Sequence, residues 1–204
     1  MTGLSTLAEL PLSPGTVHIC VDMQRMFQED TPWALPWMPK VLPNIVTLCK
    51  ERAANTCFTR FIPARRAGDG HGAWQRYYRR WDMMTIEKMG AEMVDLVPEL
   101  ARFAPPGEIV DKQIYSPWLG SGLHGYLRKR GCDTVVITGG ETDMCVLATV
   151  LGAADYGYRT IVVTDALCSA SDEAHDAMLA LFTKRYRQQI EAVDTDGLLA
   201  VWAR

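Results

Sequence analysis

No apolar run in this chain approaches the roughly 20 residues that a membrane-spanning helix needs, so no span is expected. Met1 to Pro14 has neither the basic start nor the apolar centre of a signal peptide, and the expected compartment is the cytoplasm. An excess of charge of one sign is also missing. Lysine and arginine number 21 against 24 aspartates and glutamates, a net charge of −3. That balance offers no electrostatic footprint for nucleic acid or an anionic membrane, although it says nothing about a small ligand. The six cysteines, Cys20, Cys49, Cys57, Cys132, Cys145 and Cys168, include no Cys-x-x-Cys pair and lie mostly in apolar runs. Such scatter suits reduced thiols and argues against a disulfide framework or a zinc site. Internal repeats, low-complexity tracts and linkers are lacking too. With 204 residues, 48% of them hydrophobic, the chain is expected to form one domain over 1–204 with a sizeable core.

What the chain does have is a regular alternation of short β-branched runs and helical stretches. Strands are predicted at Val17–Val21, Cys57–Phe61, Glu108–Asp111, Thr134–Thr138, Thr160–Thr164 and Gln189–Val193. Helices are predicted near Pro43–Ala54, within Gly68–Met84, around Ala91–Ala101, at Leu119–Arg130, from Thr142 or Asp143 to Tyr156, and at Ser171–Tyr186. This order implies the α/β class, with βαβ units and a six-stranded, mostly parallel, doubly wound sheet covered on both faces, in three α/β/α layers. Trp74, Tyr77, Tyr78 and Trp81 fall at i, i+3, i+4 and i+7, one aromatic stripe of a helix expected in the core or an interface. Trp33 and Trp37, in a proline-punctuated loop, are expected to pack against the body or a neighbouring subunit.

The stretch from Thr134 to Thr149 carries the chemistry. Gly139-Gly140 is read as a sharp turn out of a buried strand, after which Thr142 or Asp143 caps a helix with Cys145 in its first turn. There the helix dipole is expected to pull the thiol below its free pKa of about 8.5. In a doubly wound sheet ligands bind beyond the carboxyl ends of the strands, where strand order reverses. Asp22, Lys112 and Cys145 all fall at such ends. Singly, each has a plainer reading: Asp22 as a helix or loop cap, Lys112 as a solvated cation and Cys145 as core. Together they are a carboxylate base, a cation and a nucleophile on one rim.

These residues resemble the motifs of the isochorismatase-like cysteine hydrolases. Asp22-Met23-Gln24 with Phe27 is similar to the family's DxQxxF segment, and Lys112 to the lone lysine after the third strand. Gly139-Gly140-Glu141-Thr142-Asp143-Met144-Cys145-Val146 is similar to its GxxTxxCV segment. The similarity runs from about Val17 to His175, with Tyr156-Gly157-Tyr158 and Thr164-Asp165-Ala166 in the family's order. It implies an Asp22, Lys112 and Cys145 triad, a cis peptide at Gly140–Glu141, and an oxyanion hole from the backbone N–H groups of Glu141 and Cys145. It also implies thioester chemistry on a small-molecule substrate, with the chain in a homo-oligomer, dimer or tetramer.

Two departures narrow the expectation. Metal-binding nicotinamidases of the family carry Asp-x-His after the second strand, where this chain has Thr59-Arg60-Phe61-Ile62-Pro63. His71 alone is a poor divalent site, so neither metal nor cofactor is expected. True isochorismatases lack the cysteine, so Cys145 points to C–N hydrolysis of an amide, ureide or carbamoyl compound. A non-catalytic metabolite- or partner-binding member, or a nicotinamidase, is the alternative. Arg60 offers a fork for a substrate carboxylate, or belongs to a surface or intersubunit ion pair. Trp74, Tyr115 and Trp118 are candidates for the pocket wall, with Phe27 from the first motif; ordinary packing is the other reading of the three. Gln24 is either a substrate contact or, more simply, a support for the Asp22 loop.

Overall fold

A computed structural model describes residues 12–202, so most of the Met1–Pro14 stretch lies outside the described residues. Six strands form a single parallel sheet: β1 (Val17–Val21), β2 (Thr56–Phe61), β3 (Glu108–Lys112), β4 (Thr134–Gly140), β5 (Arg159–Cys168) and β6 (Ile190–Val193). Their order, β3-β2-β1-β4-β5-β6, is doubly wound, and every pairing is parallel. β1 and β4 are buried along their whole length, as central strands with both faces covered must be. His18 is held between Thr56 and Thr138 there, and burial pushes its pKa down to about 3, so it packs as a neutral ring.

One face is covered by the helix Met38–Arg52, which buries Met38, Val41, Leu42, Ile45 and Leu48, together with Leu198 and Trp202 of the helix Thr195–Trp202. The other face is covered by the helices Leu123–Lys129 and Leu147–Asp155, with Phe182 behind them. None of the described helices is long and apolar enough to cross a membrane. All six cysteines are free.

Several boundaries differ from the sequence expectation, each for a local reason. The helix expected from Pro43 begins at Met38, with Pro43 inside it. Pro43 forgoes one intrahelical hydrogen bond, a loss offset by the buried face on either side. The helix expected over Ala91–Ala101 is two short pieces, Ala91–Val94 and Pro98–Ala101. Between them Leu96 forms an antiparallel bridge to Gln24. The helix expected from Leu119 starts at Leu123, after Gly120 and Gly122, both with positive φ. β5 does not stop at Asp165. It bulges and then pairs Leu167 and Cys168 with Gly139 and Gly140. The helix Thr195–Trp202 was not foreseen; Asp165 Oδ1 accepts from both the backbone N–H and the hydroxyl of Thr195 at its start.

The double glycine is the largest correction. Gly139 and Gly140 are the last residues of β4 and not a turn beyond it. Gly139 pairs with Val21 at φ 107°, and a Cβ there would lie 2.1 Å from the Val21 carbonyl oxygen. Glycine is needed for close backbone approach, and the chain turns one residue later, at the cis peptide Gly140–Glu141.

Candidate active site

Strand order reverses between β1 and β4, and the chain segments leaving those two strands carry Asp22 and Cys145. Lys112 is the last residue of β3, two strands away from β1, and its long side chain spans the gap. Lys112 Nζ lies 2.7 Å from Asp22 Oδ2, with both side chains fully excluded from solvent. It lies 3.2 Å from Cys145 Sγ and 3.1 Å from the Ile114 carbonyl oxygen. An ammonium has three N–H donors, and these three neighbours occupy them. The Phe61 ring, its centroid 5.0 Å from Nζ, packs against the charge.

Asp22 is held as firmly. Its Oδ1 accepts from the Thr59 hydroxyl at 2.6 Å, and its backbone N–H donates to the Thr59 carbonyl at 3.1 Å. Its φ of 50° makes it the non-glycine residue with positive φ among the described residues, a conformation costing about 1–2 kcal/mol in the left-handed region. Gln24 supports this turn. Its amide nitrogen donates to the carbonyls of Phe61 and Val94, and its amide oxygen accepts from the Phe61 N–H. With its amide nitrogen and oxygen bonded to backbone, Gln24 braces the Asp22 loop.

Cys145 sits in a π-helical turn, Thr142–Val146, that leads into the helix Leu147–Asp155. Neither Thr142 nor Asp143 caps it. The Thr142 hydroxyl donates to the Cys168 carbonyl, and Asp143 accepts from Ser169. The expected lowering of the thiol pKa is also reversed. Burial and the Asp22 carboxylate push Cys145 well above its ordinary value, while Lys112 opposes them without winning. For Lys112, burial pulls the ammonium down, but Asp22 and Cys145 together hold it above its ordinary value. For Cys145, a dipole at the end of a helix does not outweigh burial and a whole carboxylate at contact.

Cys145 opens into a narrow, partly solvent-open cleft. Phe27, Trp33, Phe61, Tyr77 and Tyr115 supply its rings, and Glu141 and Met144 complete the wall. Trp33 is the hub, with ring centroids 6.2 Å from Phe27, 6.1 Å from Phe61 and 5.8 Å from Tyr77. Burial, reinforced by the negative Asp143 and Asp22, raises the Glu141 carboxyl above its ordinary value, against a hydrogen bond from the Ala170 backbone.

Of the candidates, Phe27 and Tyr115 thus reach the cavity. Trp74 stands one layer back, edge-on to Tyr115 at 5.0 Å, and lines a separate cleft with His71. Trp118 is away from the site: its indole donates to the Thr149 carbonyl and its ring stacks on Tyr158. Its place is set by packing, since a Cβ on Gly152 would fall 2.1 Å from the indole. Arg60 is committed to a bidentate pair with Asp111 on the adjacent strand and a second contact with Asp95. Of its two readings, the ion pair within the chain is the one found. Trp33, Phe61, Tyr77 and Met144 were missed as lining residues; only Tyr77 had a signal, its place in the aromatic stripe. Among the described residues no group of three or more His, Cys, Asp or Glu side chains is placed to hold a metal ion.

A family model described as the isochorismatase domain matches residues 16–194. An uncharacterised isochorismatase family protein of Bacillus subtilis, YwoC, is 35% identical over 147 residues, covering 72% of this chain and 76% of that protein. Maleamate amidohydrolase of Pseudomonas putida is 33% identical over 176 residues, covering 79% of each. Among solved structures, a cysteine hydrolase from Pseudomonas syringae superposes with a TM-score of 0.82 over 96% of both chains, at 24% identity.

Proposed function

The chain belongs to the isochorismatase family, and from that premise we propose that it is a cysteine-dependent hydrolase cleaving the C–N bond of a small amide, ureide or carbamoyl compound through a thioester. The observation that carries this reading is the contact of one buried ammonium, Lys112 Nζ, with both Asp22 Oδ2 and Cys145 Sγ at the floor of the cavity. The name of the maleamate amidohydrolase relative, which hydrolyses an amide, supports the bond class.

The steps follow from the charges. The Asp22 carboxylate takes the Cys145 thiol proton as sulfur attacks the carbonyl carbon, so no free thiolate needs to be present at rest. Lys112 stays protonated throughout and offsets the negative charge that passes from Asp22 to sulfur. The tetrahedral oxyanion is received by the backbone N–H groups of Glu141 and Cys145. The protonated Asp22 then gives its proton to the leaving nitrogen, the C–N bond breaks, and ammonia or an amine departs. A water molecule, deprotonated by Asp22, attacks the thioester; sulfur leaves, recovers the proton, and the acid is released. The net change is amide plus water to acid plus amine, and each step uses only protein groups and water.

The test is ammonia release from a panel of small amides, ureides and carbamoyl compounds. Wild type is expected to turn over at least one class, and Cys145→Ala none, with an unchanged melting temperature. Turnover by Cys145→Ala equal to wild type would remove the cysteine from the reaction.

A further inference from the structure

The cavity above Cys145 has an unusual wall. Five of its lining residues are aromatic, one is Glu141, and among the described residues that line it none is lysine, arginine or histidine. The nearest cation, Lys112, has its three donors committed to Asp22, Cys145 and Ile114. Arg60, the other cation near these strand ends, is closed by Asp111 and Asp95. An anionic substrate therefore finds no counter-ion, and it meets Glu141 and Asp22 as like charges. A cation finds the reverse. Rings present negative faces, and a carboxylate beside them supplies the balancing charge, the chemistry by which aromatic cages hold alkylammonium groups.

We infer that the substrate of the proposed hydrolase is an amide whose non-reacting end is cationic, with Glu141 and the rings of Phe27, Trp33, Tyr77 and Tyr115 selecting it. This rests on the hydrolase reading of the same site for its reaction, but the selection of charge is a separate property of the wall. Phe61 is left out because one side of its ring already faces Lys112. Glu141 is suited to the task by its position. It follows the cis peptide at the end of β4, next to where the carbonyl must sit for Cys145 to attack, and the Ala170 backbone hydrogen-bonds its carboxyl.

The experiment compares three amides of similar length: trimethylammonioacetamide, its neutral isostere tert-butylacetamide, and malonamate. Each kcat/KM is divided by the hydroxide-catalysed rate of the same amide, so that intrinsic reactivity cancels. Wild type is expected to prefer the cation over the neutral isostere by about tenfold or more, with malonamate poorest. Glu141→Gln keeps the backbone and side-chain shape, and should bring the cation preference to within about threefold, mainly through KM. Equal use of the three, preference for malonamate, or an unchanged preference in Glu141→Gln would overturn the inference while leaving the hydrolase intact. Calorimetry provides the second arm with tetramethylammonium as probe and tert-butanol as neutral control, on Cys145→Ala with and without Glu141→Gln. Binding of tetramethylammonium that is lost with Glu141→Gln supports the inference even if no amide is hydrolysed. Failure of tetramethylammonium to bind better than tert-butanol overturns it.

Discussion

Gly139 and Val21 run so close at the centre of the sheet that any side chain on Gly139 would meet the Val21 backbone at 2.1 Å from oxygen and 2.8 Å from nitrogen. Both strands that hold the proposed nucleophile and base end here, so the spacing of β1 and β4 sets the distance between Asp22 and Cys145. Gly139→Ala adds a collision with backbone, which cannot rotate away, to a φ of 107° that L residues avoid. The cost is expected to be about 3 kcal/mol or more. For a chain of this size that lowers the melting temperature by roughly 10 °C. Scanning calorimetry checks it, and a wild-type melting temperature would mean that β1 and β4 are less closely apposed.

The strand ends that carry Asp22, Lys112 and Cys145 are readable in the sequence because each β-branched run stops at a charged residue or a glycine, and a parallel sheet gathers such ends on one edge. The purpose of Gly139-Gly140 is not readable. Two glycines look the same whether they serve a turn or a close approach, and only the Val21 backbone distinguishes the cases. Trp33 is hidden for a related reason. Its proline-broken loop has no period, so nothing local indicates that the ring comes to lie between Phe27, Phe61 and Tyr77. The sign of the Cys145 shift depends on burial and on the contact with Asp22, neither of which helix position reports.

Gln24 and Arg60 should separate sharply on mutation. Gln24→Ala leaves the Phe61 N–H and two carbonyls without their buried partner, and is expected to cost about 3 kcal/mol. It should also lower kcat, because the Asp22 turn loses its brace. Arg60→Met breaks a pair whose acidic partners are about half exposed, and is expected to cost about 1 kcal/mol or less with KM unchanged. Urea unfolding and steady-state kinetics on both variants check this; a large KM rise in Arg60→Met would return that guanidinium to the substrate.

Chelation should leave hydrolysis unchanged. The end of β2 and the two positions after it hold Phe61, Ile62 and Pro63, which offer no ligating side chain, and His71 lies exposed on a separate cleft. Activity lost on prolonged EDTA treatment and restored by zinc or manganese would show that a metal site had been overlooked.

The decisive prediction concerns the two charges beside the thiol. Cys145 is raised by burial and by Asp22, and lowered by Lys112. Removing the carboxylate in Asp22→Asn should therefore lower the pKa for alkylation of Cys145, while removing the ammonium in Lys112→Met should raise it. Both variants should lose about 100-fold or more in kcat/KM, because one lacks the base and the other the charge that lets the base pass its proton. A more reactive thiol in a slower enzyme is the distinctive result for Asp22→Asn. It would separate a base that takes the proton during attack from a site that works by holding a preformed thiolate. Stability gives a second handle. Lys112 is held above its ordinary value, so its contribution is fully present below its unfolded pKa and is lost as pH rises through the higher folded value. Lys112→Met should cost about 3–5 kcal/mol at neutral pH, since Asp22 is left charged and buried. Adding Asp22→Asn should recover most of that stability and none of the activity. The iodoacetamide rate at Cys145 against pH, followed by mass spectrometry, reads the two shifts. Shifts of the same sign, or none in either variant, would mean that the three side chains do not form one electrostatic unit, and the proposed mechanism would fail with them.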